Sequence, residues 1–294
     1  MLKDLEKKLQ RVGQLKKRHP IYKETLHFYE CVLEEINKIS ELKIKQKPNF
    51  SKEINEINAK FAKEICLVDN NDIEPDDKMC AEVFRKILDI ATKSLPATKK
   101  QVEKINKLVE EKEIKLENLF NDKSQETANF FMENEIDGNI LFTFYETTLN
   151  PFIWKFYNEA QEFYYENRKV LNWTSGHCPV CFSEPKIAQL KSIKGEKGAE
   201  RTLCCSSCET EYYFPRIKCP FCANDKPDTL SYFYAEEIGK AYRVDLCKEC
   251  NRYIKTINSD EFSEEVVLPV DELCTIELDF LAEKEGLGHS KKLN

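Results

Sequence analysis

Four Cys-x-x-Cys pairs, at Cys178/Cys181, Cys205/Cys208, Cys219/Cys222 and Cys247/Cys250, constrain this chain more than anything else in it. Two residues between thiolates let one tight turn aim both sulfurs at a single cation. Four such sulfurs complete the tetrahedral shell of zinc or iron. The spacing repeats: 23 residues separate the first pair from the second and 24 the third from the fourth, with only 10 in the middle. Both leading knuckles read Cys-Pro-x-Cys, and both trailing ones follow an arginine by four residues, Arg201 and Arg243. One hairpin-and-knuckle unit has been duplicated. The repeat assigns Cys178, Cys181, Cys205 and Cys208 to one ion and Cys219, Cys222, Cys247 and Cys250 to a second. A crossed arrangement, first with third and second with fourth, would break the repeat. Disulfide chemistry would favour one reactive pair at a helix start, not four pairs in hairpins.

A shell of four thiolates leaves no position for water, which argues against hydrolysis and for a structural ion. Small hairpin modules bury little apolar surface, and a metal supplies the missing folding free energy. Iron in the same cage could cycle by one electron, although no redox partner is legible. Thirteen cysteines in a chain whose charged, amphipathic start is no signal peptide are expected to be reduced. Of the remainder, Cys31, Cys66 and Cys80 read as small buried hydrophobes in helical segments. Cys204 is an alternative ligand beside the second knuckle, but the duplicated spacing favours Cys205. His177 could also ligate, yet four thiolates already fill the shell.

Composition changes near residue 171. Of eight glycines only Gly13 and Gly138 come earlier. Before that point, apolar residues recur at three and four: Tyr22, Leu26, Tyr29, Leu33, Ile36; then Ile54, Ile57, Phe61, Ile65; then Val83, Ile87, Ile90, Ala91, stopped by Pro96. A fourth helix is expected through Val102, Ile105, Val109, Leu116 and Leu119, with Thr98 as N-cap. A further pair is expected over about 125–149 and 151–170, the second with Pro151 in its first turn. Its aromatics, Phe152, Trp154, Phe156, Tyr157, Phe163, Tyr164 and Tyr165, read as core before they read as a docking surface. His27 is a lone helical histidine beside an apolar stripe. Tyr212-Tyr213-Phe214 and Tyr232-Phe233-Tyr234 read as strands of small hairpins. A last helix is expected within Pro269–Leu281, ended by Gly286 and Gly288.

Several function classes fall away. There is no GxGxxG or GxxxxGK[ST] loop and no catalytic constellation in the helical half. No apolar run approaches the roughly 20 residues of a membrane span. The net charge of -7 argues against a general polyanion binder. Within 176–258, nine Lys and four Arg face three Asp and eight Glu, a balance of +2. Eight thiolates with two divalent ions carry that module to about -2, which disfavours nucleic acid and favours a protein partner.

Beyond the spacing, the text around the cysteines resembles the FdhE-type accessory proteins of formate dehydrogenase. It includes Cys178-Pro179-Val180-Cys181, Pro185 and Arg201-Thr202-Leu203-Cys204-Cys205-Ser206-Ser207-Cys208-Glu209-Thr210-Glu211. It continues with Arg216-Ile217-Lys218-Cys219-Pro220-Phe221-Cys222 and Arg243-Val244-Asp245-Leu246-Cys247-Lys248-Glu249-Cys250-Asn251-Arg252-Tyr253-Ile254-Lys255. The closing segment Asp271-Glu272-Leu273-Cys274-Thr275-Ile276-Glu277-Leu278-Asp279 fits as well. The likeness runs from about 173 to 288; before that only length and helicity agree. Phe182 stands where the family usually carries glycine and Tyr212 where it often has tryptophan, so the local turn is open to change.

The resemblance implies a cytoplasmic, non-catalytic protein that helps mature formate dehydrogenase by binding its catalytic subunit, with iron as the metal. The expected architecture is a mainly α N-terminal domain, 1–172. Two small β-rich four-cysteine modules of rubredoxin-like or zinc-ribbon type follow, 173–217 and 218–260, then a short C-terminal helix and tail, 261–294. The competing readings are a rubredoxin-like electron carrier and, less favoured, a zinc-ribbon nucleic-acid adaptor. Arg201, Arg216, Arg243 and Arg252 lie near the knuckles, where they either offset thiolate charge or bind a partner. Arg216, in the central linker without an equivalent in the repeat, is the partner-binding candidate.

Overall fold

The structure, a computed structural model, describes residues 4–39, 42–69, 73–111, 129, 132–193, 195, 198–234 and 239–288. The chain forms two compact units, Met1–Lys47 with Asp72–Phe156, and Pro48–Asn71 with Tyr157–Asn294.

The first unit is helical. Its elements are α1 (Leu5–Arg18), α2 (Lys23–Lys38), α4 (Asp77–Ser94), α5 (Lys99–Glu110) and the beginning of α6 (Gly138–Asn167); α3 (Ile54–Phe61) belongs to the second unit. Ile36 of the expected α2 stripe, with Phe28 and Val32 from outside that stripe, meets Val83, Ile87 and Ala91 of α4, joined by Phe84, and Val102 and Ile105 of α5. Leu26 and Leu33 are buried too, while Tyr29 is half-buried. Asp76 caps α4 by accepting from the Met79 amide at 3.0 Å. Leu95 follows the last turn and Pro96 begins a short 3-10 turn, the stop expected of a proline. Thr98 does sit at the start of α5, but its hydroxyl donates back to the Leu95 carbonyl (3.0 Å) and caps nothing. Leu116 and Leu119 lie outside the described residues.

Two helix expectations need correction. Pro151 does not open a second helix; α6 runs through it as one helix from Gly138 to Asn167. An interior proline costs about 3 kcal/mol. Phe144, Phe152, Phe156 and Tyr157 along this helix are all buried, at about 1.5–3 kcal/mol for a fully buried side chain, so burial prevails over propensity. None of the seven aromatics is exposed, in line with the core reading. The stripe continuing to Ile65 also fails: α3 stops at Phe61, Glu64 turns left-handed (φ 56°) and the Ile65 amide closes onto the Lys60 carbonyl at 3.1 Å. Cys66 therefore lies beyond the helix, buried but in a loop.

The second unit carries the β structure. Its strands are β1 (Pro185–Ser192), β2 (Ala199–Cys205), β3 (Glu211–Tyr213), β4 (Leu230–Tyr234), β5 (Tyr242–Cys247) and β6 (Arg252–Asn258). They form a six-stranded sheet in the order β3-β2-β1-β6-β5-β4. Each cysteine module is an antiparallel three-stranded meander. The two meanders join through a parallel seam, Ile187 beside Lys255 through Leu190 beside Asn258. Two short helices follow, α7 (Leu268–Asp271) and α8 (Ile276–Lys284); Leu268 of α7 and Leu278 and Ala282 of α8 pack with Ile187, Val244 and Ile257 of the sheet. Lys255 is buried there between Glu272 Oε1 (2.7 Å) and Asp279 Oδ2 (2.8 Å), and Tyr253 donates its hydroxyl to Asp279 Oδ1. Two acidic residues of the closing segment thus neutralise a lysine in the sheet.

Candidate metal centre

The sheet delivers the eight paired cysteines as two groups. Cys178, Cys181, Cys205 and Cys208 form one and Cys219, Cys222, Cys247 and Cys250 the other, with all sulfurs of a group within 4.8 Å of one another. In the first, Cys178 and Cys208 are 3.6 Å apart and Cys181 and Cys205 3.4 Å. In the second, Cys219 and Cys250 are 3.7 Å apart and Cys222 and Cys247 3.8 Å. A tetrahedral ion with sulfurs at about 2.3 Å places them about 3.8 Å from each other, so the donor set fits one cation per group. None of the thirteen cysteines is in a disulfide.

Local backbone geometry aims the sulfurs. The amides of Val180 and Ser207 point at Cys178 Sγ and Cys205 Sγ, each at 3.4 Å. The residue after each knuckle is left-handed: Phe182 (φ 66°), Glu209 (61°), Ala223 (59°) and Asn251 (55°). Such a turn reverses the chain so that the first cysteine's amide reaches the carbonyl five residues on. Cys178 to Ser183 (2.9 Å), Cys205 to Thr210 (3.0 Å) and Cys219 to Asn224 (2.7 Å) do so. The turn at Phe182 keeps the conformation glycine favours, with the ring stacked on His177 at 4.6 Å. His177 stays outside the cysteine group, and its carbonyl accepts from Trp173 Nε1.

The two groups differ in surroundings. All four cysteines of the first are buried. The amides of Leu67 and Val68 bond the Pro179 and Val180 carbonyls, clasping the first knuckle. Gln161 donates to the Cys208 carbonyl (2.6 Å) and to Thr210 Oγ1 (3.0 Å), which itself lies 3.0 Å from Cys208 Sγ. Burial pushes the Cys178 and Cys208 thiols up, whereas hydrogen bonds from neighbouring thiols hold Cys181 down. A divalent cation would turn all four into thiolates and release protons. In the second group Cys222 is exposed and Cys250 half-buried. Burial pushes Cys219 up to about 11; it also opposes the Cys247 thiolate, but donors from Cys250, Asn224 and Glu249 outweigh it and lower that pKa. Asn224 Nδ2 reaches Cys247 Sγ at 3.5 Å.

The other candidates lie apart from the sulfurs. Cys204 is fully buried, directs its sulfur at the Cys205 and Glu209 carbonyls (3.7 and 3.9 Å), and burial raises its pKa. Cys80 is a buried thiol of α4, pushed up to about 12 by burial. Cys31 is only half-buried, 3.8 Å from the ring nitrogens of exposed His27.

The arginines take separate duties. Arg201 is buried, donates to the Pro215 and Lys218 carbonyls and lies 5.1 Å over Phe214. Burial lowers its pKa to about 10, with Arg243 and Arg216 pushing the same way. Arg243 pairs with Asp245 (2.9 Å) over Tyr232, and Arg252 grips Glu184 over Phe221. Arg216 is exposed and has no hydrogen bond or ion pair among the described residues. Gly176 shows how closely the modules approach: a Cβ there would stand 1.9 Å from the Pro220 carbonyl oxygen. Spacing alone did not show Gln161, Thr210, Asn224 or the clasp by Leu67 and Val68. Of the left-handed positions only Asn251 carries a residue type that signals one.

A helical unit and a sheet bearing two four-cysteine groups, each able to hold one cation, define a protein with twin tetrathiolate sites. No protein-family model matches the chain. It is 28% identical to a protein FdhE homolog of Aquifex aeolicus over 290 residues, 97% of this chain and 92% of the relative. A second FdhE homolog, of Edwardsiella ictaluri, is 34% identical over 131 residues, 45% of this chain and 39% of that one. In fold it resembles the crystal structure of the FdhE protein from Pseudomonas aeruginosa, with a TM-score of 0.55 at 17% identity over 98% of this chain and 93% of that chain. Along nearly its whole length the chain is thus similar in sequence to an FdhE homolog, and it shares the fold of an FdhE protein.

Proposed function

We propose that this chain is a non-catalytic accessory factor for formate dehydrogenase that acts in the cytoplasm and binds the enzyme's catalytic subunit before or during cofactor insertion. The observation that carries this reading is the likeness to an FdhE homolog along nearly the whole chain, helical half included. In this reading Cys178, Cys181, Cys205 and Cys208 hold one mononuclear ion and Cys219, Cys222, Cys247 and Cys250 another, iron or zinc. The ions fix the hairpin tips, and Arg216 contributes to client binding. No helix among the described residues is long and apolar enough to cross a membrane.

The exposure of Cys222 supports a second reading, one-electron transfer through an iron ion in the second group. The test is affinity capture with the tagged full-length chain from cells producing formate dehydrogenase. The reading expects the catalytic subunit in the captured fraction and no formate turnover by the chain alone. Absence of that subunit, or substantial turnover by homogeneous protein, contradicts it. A reversible one-electron change in anaerobically purified protein is the result expected of the second reading.

A further inference from the structure

Beside the second cysteine group lies a cavity of about 290 Å³, at the lower edge of the range that small-molecule sites occupy. Arg201, Arg216, Lys218, Arg243 and Arg252 all line it, together with Asp245. Five cations on one small cavity are costly unless something answers them. Asp245 answers Arg243, and Glu184, outside the lining, answers Arg252. That leaves a surplus of three positive charges, on Arg201, Arg216 and Lys218. Cys219 and Cys247 also line the cavity, and a divalent ion in four thiolates would return two negative charges. The balance stays positive.

Hydrogen bonding gives the same answer as charge. Arg201 is 3% exposed and donates from Nη2 to two carbonyls, yet its Nε has no partner. Arg216 and Lys218 form no ion pair among the described residues. None of these three donates a hydrogen bond to a cysteine sulfur among the described residues; the side chain seen at Cys247 Sγ is Asn224. Guanidinium and ammonium groups set among the apolar walls of one cavity, Phe221, Leu230 and Leu246 among them, suit a carboxylate or phosphate oxyanion. We infer that this arginine-lined cavity is a binding site for an oxyanion group, either a small free anion or an acidic side chain of a protein. The inference stands on the cavity and does not rest on the formate dehydrogenase reading.

The test uses the full-length, metal-loaded protein at low salt, titrated with inorganic phosphate and with a hexaglutamate peptide and followed by calorimetry. Saturable binding of either probe is expected. It should weaken about tenfold or more in Arg216→Ala and disappear in Arg216→Glu, because one charge-assisted contact is lost or reversed. Metal content of both variants, measured in parallel, should stay unchanged since Arg216 is exposed. Binding of phosphate assigns a small-anion site; binding of the peptide alone assigns an acidic segment; both support an oxyanion site. Failure of both probes to saturate at tens of millimolar, or equal binding by wild type and Arg216→Glu, overturns it. Client capture that survives such a failure would leave the accessory role standing.

Discussion

Arg252, at the start of β6, closes a two-pronged ion pair with Glu184, just before β1, at 2.8 and 2.7 Å. The guanidinium is almost fully buried and lies 3.7 Å over the Phe221 ring of the third knuckle. One side chain therefore ties together both modules at their parallel seam. Glu184→Ala should cost about 1–2 kcal/mol, since the carboxylate is 42% exposed. Arg252→Ala should cost more because it also removes the stack on Phe221. Thermal unfolding of the two variants checks the order; a larger loss for Glu184→Ala would contradict it.

Lys255 is another buried charge of the sheet, and both of its partners come from the C-terminal segment. Lys255→Met leaves Glu272 and Asp279 facing each other without a cation and should destabilise by about 3 kcal/mol. Adding Glu272→Gln and Asp279→Asn to Lys255→Met removes that repulsion and should recover much of the loss. Burial lowers the lysine pKa, but attraction to Glu272 and Asp279 outweighs it and raises the net value. A raised lysine pKa gives stability that is fully present below the ordinary value of 10.5 and lost as pH rises through the folded value. Between pH 6 and about 9 this group should leave the denaturation midpoint flat, and Lys255→Met should reduce the loss of stability seen above about pH 10.5.

Ala223 follows the third knuckle with φ 59° and an exposed side chain. A Cβ in the left-handed region costs roughly 1–2 kcal/mol, and glycine carries an entropic cost of about 0.5–1 kcal/mol. Ala223→Gly should therefore raise stability by up to about 1 kcal/mol with metal content unchanged. A lowered melting temperature would contradict this. Phe182 is a poorer choice for the same change, because glycine would also delete its stack on His177.

The unequal burial of the two groups predicts unequal lability. With Cys222 exposed and Cys250 half-buried, a chelator should strip the second group first, and metal release should follow two phases. Arresting the reaction after the faster phase and mapping free thiols should find Cys219, Cys222, Cys247 and Cys250 modified before the other four. A single phase, or earlier modification of Cys178, would contradict it.

The cysteine spacing revealed the grouping because knuckle geometry is local: two intervening residues fix the turn whatever surrounds it. The helical stripes were legible for the same reason, except where tertiary burial prevailed. Pro151 reads as a break, yet the buried Phe144 and Phe152 keep α6 continuous across it. Ile65 fits the α3 stripe by count, but a left-handed Glu64 ends the helix first. The β1–β6 seam was invisible because parallel pairing of distant strands leaves no local signature. Arg201, Arg216, Arg243 and Arg252 stood out in the sequence one by one. Only the sheet brings all four onto a single cavity.

Metal stoichiometry tests the central claim most directly. Native mass spectrometry with elemental analysis of anaerobically purified protein should find two mononuclear ions per chain and no inorganic sulfide. The Cys178→Ser/Cys181→Ser variant should lose one ion and keep the other, since each group of four sulfurs forms its own shell. Retention of both ions by that variant, or sulfide accompanying the metal in the wild type, would contradict the account.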